Sequence, residues 1–218
     1  MIGRGSDPQP VSLTESTLVE ACSELGVTDP ELFAFLARLG PPPLWDREPG
    51  FPTLVHIILE QQVSLASAKA AFVKLTDRVS PLDPAAFLTL DDATLKAIGF
   101  SGQKGRYCRK LARAVLEGSL DLGSLASSSD DHVRDELIKV TGIGRWTADI
   151  YLLMALGRPD VWPLGDLALH KAMQDLKCLK TPPNPAEFEA LGEPWRPWRS
   201  VAARILWNHY LHPSAVAR

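Results

Sequence analysis

Two sets of residues in this 218-residue chain have types and spacing that could do chemistry. The first is the turn Thr141-Gly142-Ile143-Gly144 with the helix predicted after it, where Trp146, Ile150, Leu153, Met154 and Ala155 recur at a helical period of about 3.6 residues. A helix that starts at such a turn has amides with no partner inside the helix, and that end carries positive partial charge. Gly142, Gly144, Arg145 and Thr147 could therefore hold a phosphate oxygen. A second turn, Phe100 to Gly105, opens onto a helix predicted over Arg106 to Glu117. It offers Ser101, Gly102 and Lys104 to another phosphate by the same logic. A glycine turn alone more often only reverses a chain. The second set is an acid, Asp166, heading the stretch Leu167-Ala168-Leu169-His170. On local sequence it reads equally as a helix N-cap and as a working carboxylate.

The elements that must position these residues are all predicted helical. Helices are expected over Leu13 to Leu25, and from Asp29-Pro30 to Gly40, with the acid as N-cap and the proline as first helical residue. Pro41-Pro42-Pro43 makes a stiff connector. A stronger helix opens at Phe51-Pro52 and runs into Glu60-Gln61-Gln62-Val63-Ser64, where Ser64 caps the helix Leu65 to Arg78. Asp83 and Asp91 cap two shorter helices, the second ending at Gly99, and Asp130 is the expected cap of the helix that enters the glycine turn. The helix after that turn is expected to end at Gly157, and the one after Asp166 spans Leu167 to Leu176. Pro185 to Leu191 and Val201 to Leu211 close the chain. No alternation of period two is long enough for a sheet, so the fold class is all-α.

The stretch Leu137, Val140, Thr141, Gly142, Ile143, Gly144, Trp146, Thr147, Ala148 and, twenty residues past the Trp, Asp166 resembles the helix-hairpin-helix plus Gly-Pro-Asp loop (HhH-GPD) of the base-excision DNA glycosylases. The family pattern is roughly Leu-x-x-Leu-Pro-Gly-Ile-Gly-x-Trp-Thr-Ala. Val140, Thr141 and Gly165 depart from it without removing a chemical role. The 3-methyladenine DNA glycosylase II branch is the nearest match, over about Pro52 to Tyr210, with Trp195-Arg196-Pro197-Trp198-Arg199-Ser200 and Trp207 adding to it. The resemblance implies a two-lobed helical fold with a central cleft: a lobe over 52–130 carrying a wedge loop, the hairpin and acid loop over 131–171, and a second lobe from 13–51 plus 172–218.

It also implies roles. A base inside a duplex must be flipped into a pocket before its glycosidic bond can be broken. Trp146 and Trp207 are the expected pocket walls, since a Trp face attracts the cationic ring of an N-alkylated purine. Ile150 lies one turn after Trp146, and Trp162 would line the mouth. Asp166 would stabilise the oxocarbenium ion and orient or deprotonate water. Gln62 matches the wedge that fills the gap left in the duplex. Bifunctional relatives carry a Schiff-base lysine where this chain has Trp146. Neither Lys139 nor Lys171 occupies that position, so the expected product is an abasic site without strand cleavage. Backbone carbonyls of Ile138, Val140 and Ile143 match those that hold a structural Na+ or K+ ion in the family. No cofactor is otherwise required, and the four-cysteine iron–sulfur motif of some relatives is absent.

Composition agrees with a globular unit: 45% of residues are hydrophobic and 22% charged. Residues 1–12 read as a disordered N-terminus and 13–218 as the folded unit. Cys22, Cys108 and Cys178 make neither a disulfide framework nor a zinc pattern, and read as inert thiols in a reducing cytoplasm, or in a nucleus if the source is eukaryotic. No histidine forms a ligand or triad pattern. No apolar run approaches the roughly twenty residues of a membrane span. The extra N-terminal β-rich domain of many glycosylase II relatives is not expected here, because the first fifty or so residues read as helical. The net charge of −3 counts against a nucleic-acid binder, but Lys104, Arg106, Arg109, Lys110 and Arg113 form a run without an intervening acid. The partner expected is therefore double-stranded DNA with damaged bases, met by a monomer. Two rival readings are a glycosylase for uracil, hypoxanthine or mismatched bases, and a hairpin module that binds DNA without chemistry.

Overall fold

The computed structural model describes residues 12–213, and among them every regular element is helical. The predicted disorder over residues 1–12 falls outside this range except for Ser12, which is held in place: its hydroxyl donates to the carbonyl of Leu156 at 2.7 Å.

Chain order gives α1 (Glu15–Thr28), α2 (Pro30–Leu39), α3 (Phe51–Glu60), α4 (Leu65–Arg78), α5 (Pro84–Leu88), α6 (Asp92–Ile98) and α7 (Gly102–Leu116). Then come α8 (Asp130–Ile138), α9 (Arg145–Met154), α10 (Leu167–Leu176), α11 (Pro185–Gly192) and α12 (Arg199–Leu211). Short 3-10 turns cover Ser124–Ser127 and Glu193–Trp195.

Most starts follow the side chains that cap them. Asp29, Ser64, Asp83, Asp91 and Asp166 each accept a backbone N–H from the first turn of the helix they precede. Three boundaries differ from expectation. Ser129, not Asp130, caps α8, so Asp130 sits inside the first turn, where an acid suits the helix dipole. Helix α7 begins at Gly102 because the Ser101 hydroxyl accepts the Lys104 N–H, which makes the turn before it shorter than predicted. Helix α9 stops at Met154, short of Gly157, where the amides of Ala155 and Leu156 both turn back to the Tyr151 carbonyl.

Helix α12 packs on α10, α2 and α1, and α1 on α2. Helix α3 packs on α4, α7 and α9, while α9 pairs with α8 across the glycine turn. Helix α3 is buried on nearly every side, at Phe51, Leu54, Val55, Ile57, Ile58 and Leu59. Arg204 on α12 ties the two groups of helices together. It is fully buried and donates to the carbonyls of Leu44, Ser200 and Leu153, the last on α9, at 2.7–3.1 Å. Burial brings its guanidinium down to about 10. Three carbonyls, with the charge of Asp46, offset part of the desolvation cost of this ion. Cys22 and Cys108 are buried and Cys178 is exposed, so the inert-thiol reading fits the first two by burial alone.

Candidate active site

Asp166 ends the loop between α9 and α10, and its two carboxylate oxygens do different work. Oδ1 accepts the Leu169 N–H at 3.0 Å, which is the N-cap bond of α10, and also the Trp207 indole N–H at 3.3 Å. Oδ2 accepts the Trp146 indole N–H at 3.0 Å. The two readings of this acid are thus not alternatives: capping uses one oxygen and leaves the other turned to Trp146. Asp166 keeps 9% of its surface, so the residue is not sealed from solvent. Three donors fix its orientation, and a carboxylate offers about four acceptor positions. Trp146 comes from the first turn of α9 and Trp207 from the middle of α12, so the carboxylate lies where the two groups of helices meet. Trp207 is buried, while Trp146 is half-buried and keeps part of its ring open. Ile150 is buried one turn further along α9.

Trp162 is a packing residue. Its indole N–H donates to the Phe188 carbonyl, its ring stacks on Phe188 at 4.5 Å, and it meets Trp195 edge-on. A Cβ at Gly192 would sit 2.7 Å from it. Trp162 is also one of the residues bordering a cavity of about 340 Å3 walled by Asp130, Arg134, Arg145, Asp160 and Arg199. Its expected place at the pocket mouth is corrected to packing on the ground of these ring and hydrogen-bond contacts and its 4% exposure.

The glycine turn is shaped by tertiary contact. Gly142 has φ +104, and a Cβ there would fall 2.1 Å from the Tyr107 ring. Only glycine meets both conditions. Gly144 differs: its φ is −96 and a Cβ would meet nothing within 4 Å. Gly144 caps α9 with no side chain, and the first bond into the helix runs from Ala148 N to Gly144 O. The amides of Arg145, Trp146 and Thr147 therefore stay available to an anion, as does the exposed Arg145 side chain, whose guanidinium lies 3.8 Å from Asp149. Thr147 is buried and its hydroxyl already accepts the Gln61 amide, so only its backbone N–H is left for an outside partner.

The second turn is altered in one part. The Lys104 ammonium donates to the Leu59 carbonyl at 2.7 Å, and partial burial lowers its pKa. It caps the C-terminus of α3 instead of reaching outward for a phosphate. Ser101 and Gly102 remain exposed at the start of α7.

Gln62 is exposed at the α3–α4 turn with φ +55. The residue before it is the one that sequence passed over. The Gln61 amide donates to the Gly142 carbonyl and to the Thr147 hydroxyl, each at 3.0 Å. The turn bearing Gln62 therefore lies against the hairpin. Nothing local to Gln61 signals a contact made across more than eighty residues of sequence.

The carbonyls of Ile138 and Ile143 accept no hydrogen bond among the described residues, and that of Val140 accepts one, from Ile143 N. Oxygen donors of this kind suit a hard cation. No cluster of His, Cys, Asp or Glu among the described residues could hold a metal.

The whole of this arrangement, hairpin, open helix start and acid under two tryptophans, defines a class. Residues 55–197 match the family model of the HhH-GPD superfamily base excision DNA repair proteins, and the chain belongs to that family. The alkylbase DNA glycosidase-like protein mag2 of Schizosaccharomyces pombe is 29% identical over 71% of this chain and 75% of that protein. The DNA-3-methyladenine glycosylase of Bacillus subtilis is 30% identical over 72% of this chain and 56% of its own length. Among solved structures, S. pombe 3-methyladenine DNA glycosylase Mag1 in complex with abasic DNA superposes with a TM-score of 0.82 at 25% identity, covering 86% of this chain and 95% of that one. The chain spans between 44% and 75% of the length of the first curated relatives it matches.

Proposed function

We propose that this protein is a monofunctional DNA glycosylase that removes alkylated purines from duplex DNA and leaves an abasic site. The observation that carries the reading is the Asp166 carboxylate, oriented by the indoles of Trp146 and Trp207, the first of them in the opening turn of a helix whose starting amides are open. A protein that only gripped DNA would need the hairpin and not the carboxylate beneath two tryptophans.

The chemistry follows from those positions. The Arg145–Thr147 amides hold the DNA backbone. Gln62 enters the stack as the damaged base leaves it, and the cost of unstacking is a few kcal/mol, least for a lesion. A purine nucleoside alkylated at N3 or N7 is a cation with a ready leaving group. As its bond to C1′ stretches, positive charge grows on the sugar, and the fixed carboxylate of Asp166 stabilises it and orients the water that completes hydrolysis. Trp146 occupies the place where a Schiff-base lysine would act, and the Lys139 ammonium is paired with Glu136 at 2.5 Å. The abasic strand is accordingly left uncut. A Na+ or K+ ion on the carbonyls of Ile138, Val140 and Ile143 would add positive charge beside the bound phosphate.

The test is base release from duplex DNA carrying 3-methyladenine or ethenoadenine, with wild type beside Asp166→Asn. Wild type is expected to release the base and to give strand breaks only after alkali. The variant retains an oxygen for the Leu169 amide, so it is expected to fold and bind abasic DNA while losing release. Binding without release by wild type on every alkylated duplex would reject the proposal.

A further inference from the structure

Gln62 faces solvent in a backbone conformation that a side-chain-bearing residue disfavours. Its turn has little of its own to hold that shape, since the closing bond from Gln61 N to Ile58 O is long at 3.3 Å. What fixes the turn comes from elsewhere. The Lys104 ammonium takes the Leu59 carbonyl at the end of α3. Both protons of the Gln61 amide are spent on the hairpin, one on the Gly142 carbonyl and one on the Thr147 hydroxyl. Gly142 is itself seated on Tyr107, and Thr147 is buried in the first turn of α9, so the acceptors are rigid.

We infer that Gln61 is a positioning residue that locks the wedge turn to the phosphate-binding hairpin. The amides that would grip the backbone belong to Arg145, Trp146 and Thr147, and the Gln61 tether ends on the last of these. Gripping the strand and inserting Gln62 then happen at one fixed spacing. Loosening the tether leaves the grip intact and lets the wedge retreat, so base extrusion suffers while undamaged DNA is bound as before. The inference rests on the glycosylase reading for its consequence, but the tether can be read without base release.

The test compares wild type, Gln61→Ala, Gln61→Met and Thr147→Val in the full chain. Gln61→Met fills the same space without donors, which covers the case in which alanine leaves a hole. Three quantities are measured: single-turnover release of ethenoadenine, affinity for undamaged duplex, and the fluorescence rise of a 2-aminopurine placed beside the lesion, which reports unstacking. Both Gln61 variants are expected to lose about tenfold in release rate and most of the fluorescence rise, the scale of two neutral hydrogen bonds. Their affinity for undamaged duplex should stay within about threefold of wild type, because the amides of α9 are untouched. Thr147→Val removes one acceptor and should lose less, and adding it to Gln61→Met should cost little more, as for two partners in one contact. Equal losses in release and in undamaged-duplex affinity would overturn the inference by showing a merely loosened hairpin, and unchanged fluorescence in Gln61→Met would overturn it outright. If wild type releases no base, the glycosylase reading fails, and the fluorescence comparison still decides the tether.

Discussion

Trp146 and Asp166 are twenty residues apart in the chain, and the indole N–H of the first lies 3.0 Å from Oδ2 of the second. The tryptophan therefore has two separable properties here: a ring that can wall a pocket and a donor that aims the acid. Trp146→Phe keeps most of the ring and removes the donor. A hydrogen bond to a charged group is worth about 1.5–3 kcal/mol, so release should slow about tenfold to a hundredfold while abasic-DNA affinity changes little. Trp207→Phe should have a smaller effect in the same direction, because its bond to Oδ1 is longer at 3.3 Å and that oxygen also holds the Leu169 amide. Single-turnover rates beside binding isotherms check both. A loss confined to affinity would mean that the indoles serve only as walls.

Gly142 and Gly144 look equivalent in sequence and are not. Gly142→Ala places a methyl 2.1 Å from the Tyr107 ring at a backbone angle, φ +104, that alanine resists. Overpacking and strain together should cost about 2–4 kcal/mol of stability. Gly144→Ala meets nothing inside the protein. It should melt at the wild-type temperature and lose DNA affinity, since its methyl stands where a phosphate approaches the open amides. Thermal melts of the two variants, with duplex titrations of the second, distinguish a folding glycine from a binding one.

The basic run on α7 divides once its partners are known. Lys104 caps α3, and Arg109 is bound to Asp92 and to the Leu90 carbonyl. Arg106, Lys110 and Arg113 are exposed at helical spacing on one face, and Lys110 reaches the Thr141 hydroxyl of the hairpin turn at 3.2 Å. Those three continue the surface that the hairpin begins. Replacing all three with Gln should lower the slope of log affinity against log salt by about 0.9 for each phosphate that is no longer neutralised. Replacing Arg109 should instead lower stability slightly. An unchanged salt slope in the triple variant would put the DNA on another face.

How much of this was legible in the sequence depended on range. Caps and periodicity are local, so Ser64, Asp91 and Asp166 marked their helices correctly, and the helical class followed. The link from Trp146 to Asp166 was readable because both belong to one motif of fixed spacing. Trp162 belonged to the same stretch, but its fate was set by Phe188 and Trp195, which arrive from a loop and helix further on. Lys104 read as a phosphate ligand because nothing in its neighbourhood shows that the end of α3 will lie beneath it. The motif picked out Gln62 as the outward residue, but only the folded chain shows that its neighbour Gln61 is tied to the hairpin.

Arg204 has no local signature either, yet it bears most directly on whether the two groups of helices stay together. Its guanidinium is fully buried and feeds three carbonyls from three segments, Leu44, Leu153 and Ser200. Arg204→Met fills much of the volume and takes the donor from the Leu44 and Leu153 carbonyls, each at a cost of about 1–3 kcal/mol before relaxation, while the Ser200 carbonyl keeps its place inside α12. A net loss near 3 kcal/mol would lower the melting temperature of a domain this size by roughly 6–12 °C. Arg204→Lys carries the charge but cannot spread its donors along the same fork, so it should recover only part of the loss. Because Trp207 lies on the same helix, three residues along, the Arg204→Met site should also be looser at Asp166. Release should therefore fall more steeply with temperature than in wild type, well below the melting point. A variant that melts early but keeps the wild-type rate up to its transition would show that Arg204 supports the fold without bearing on the carboxylate.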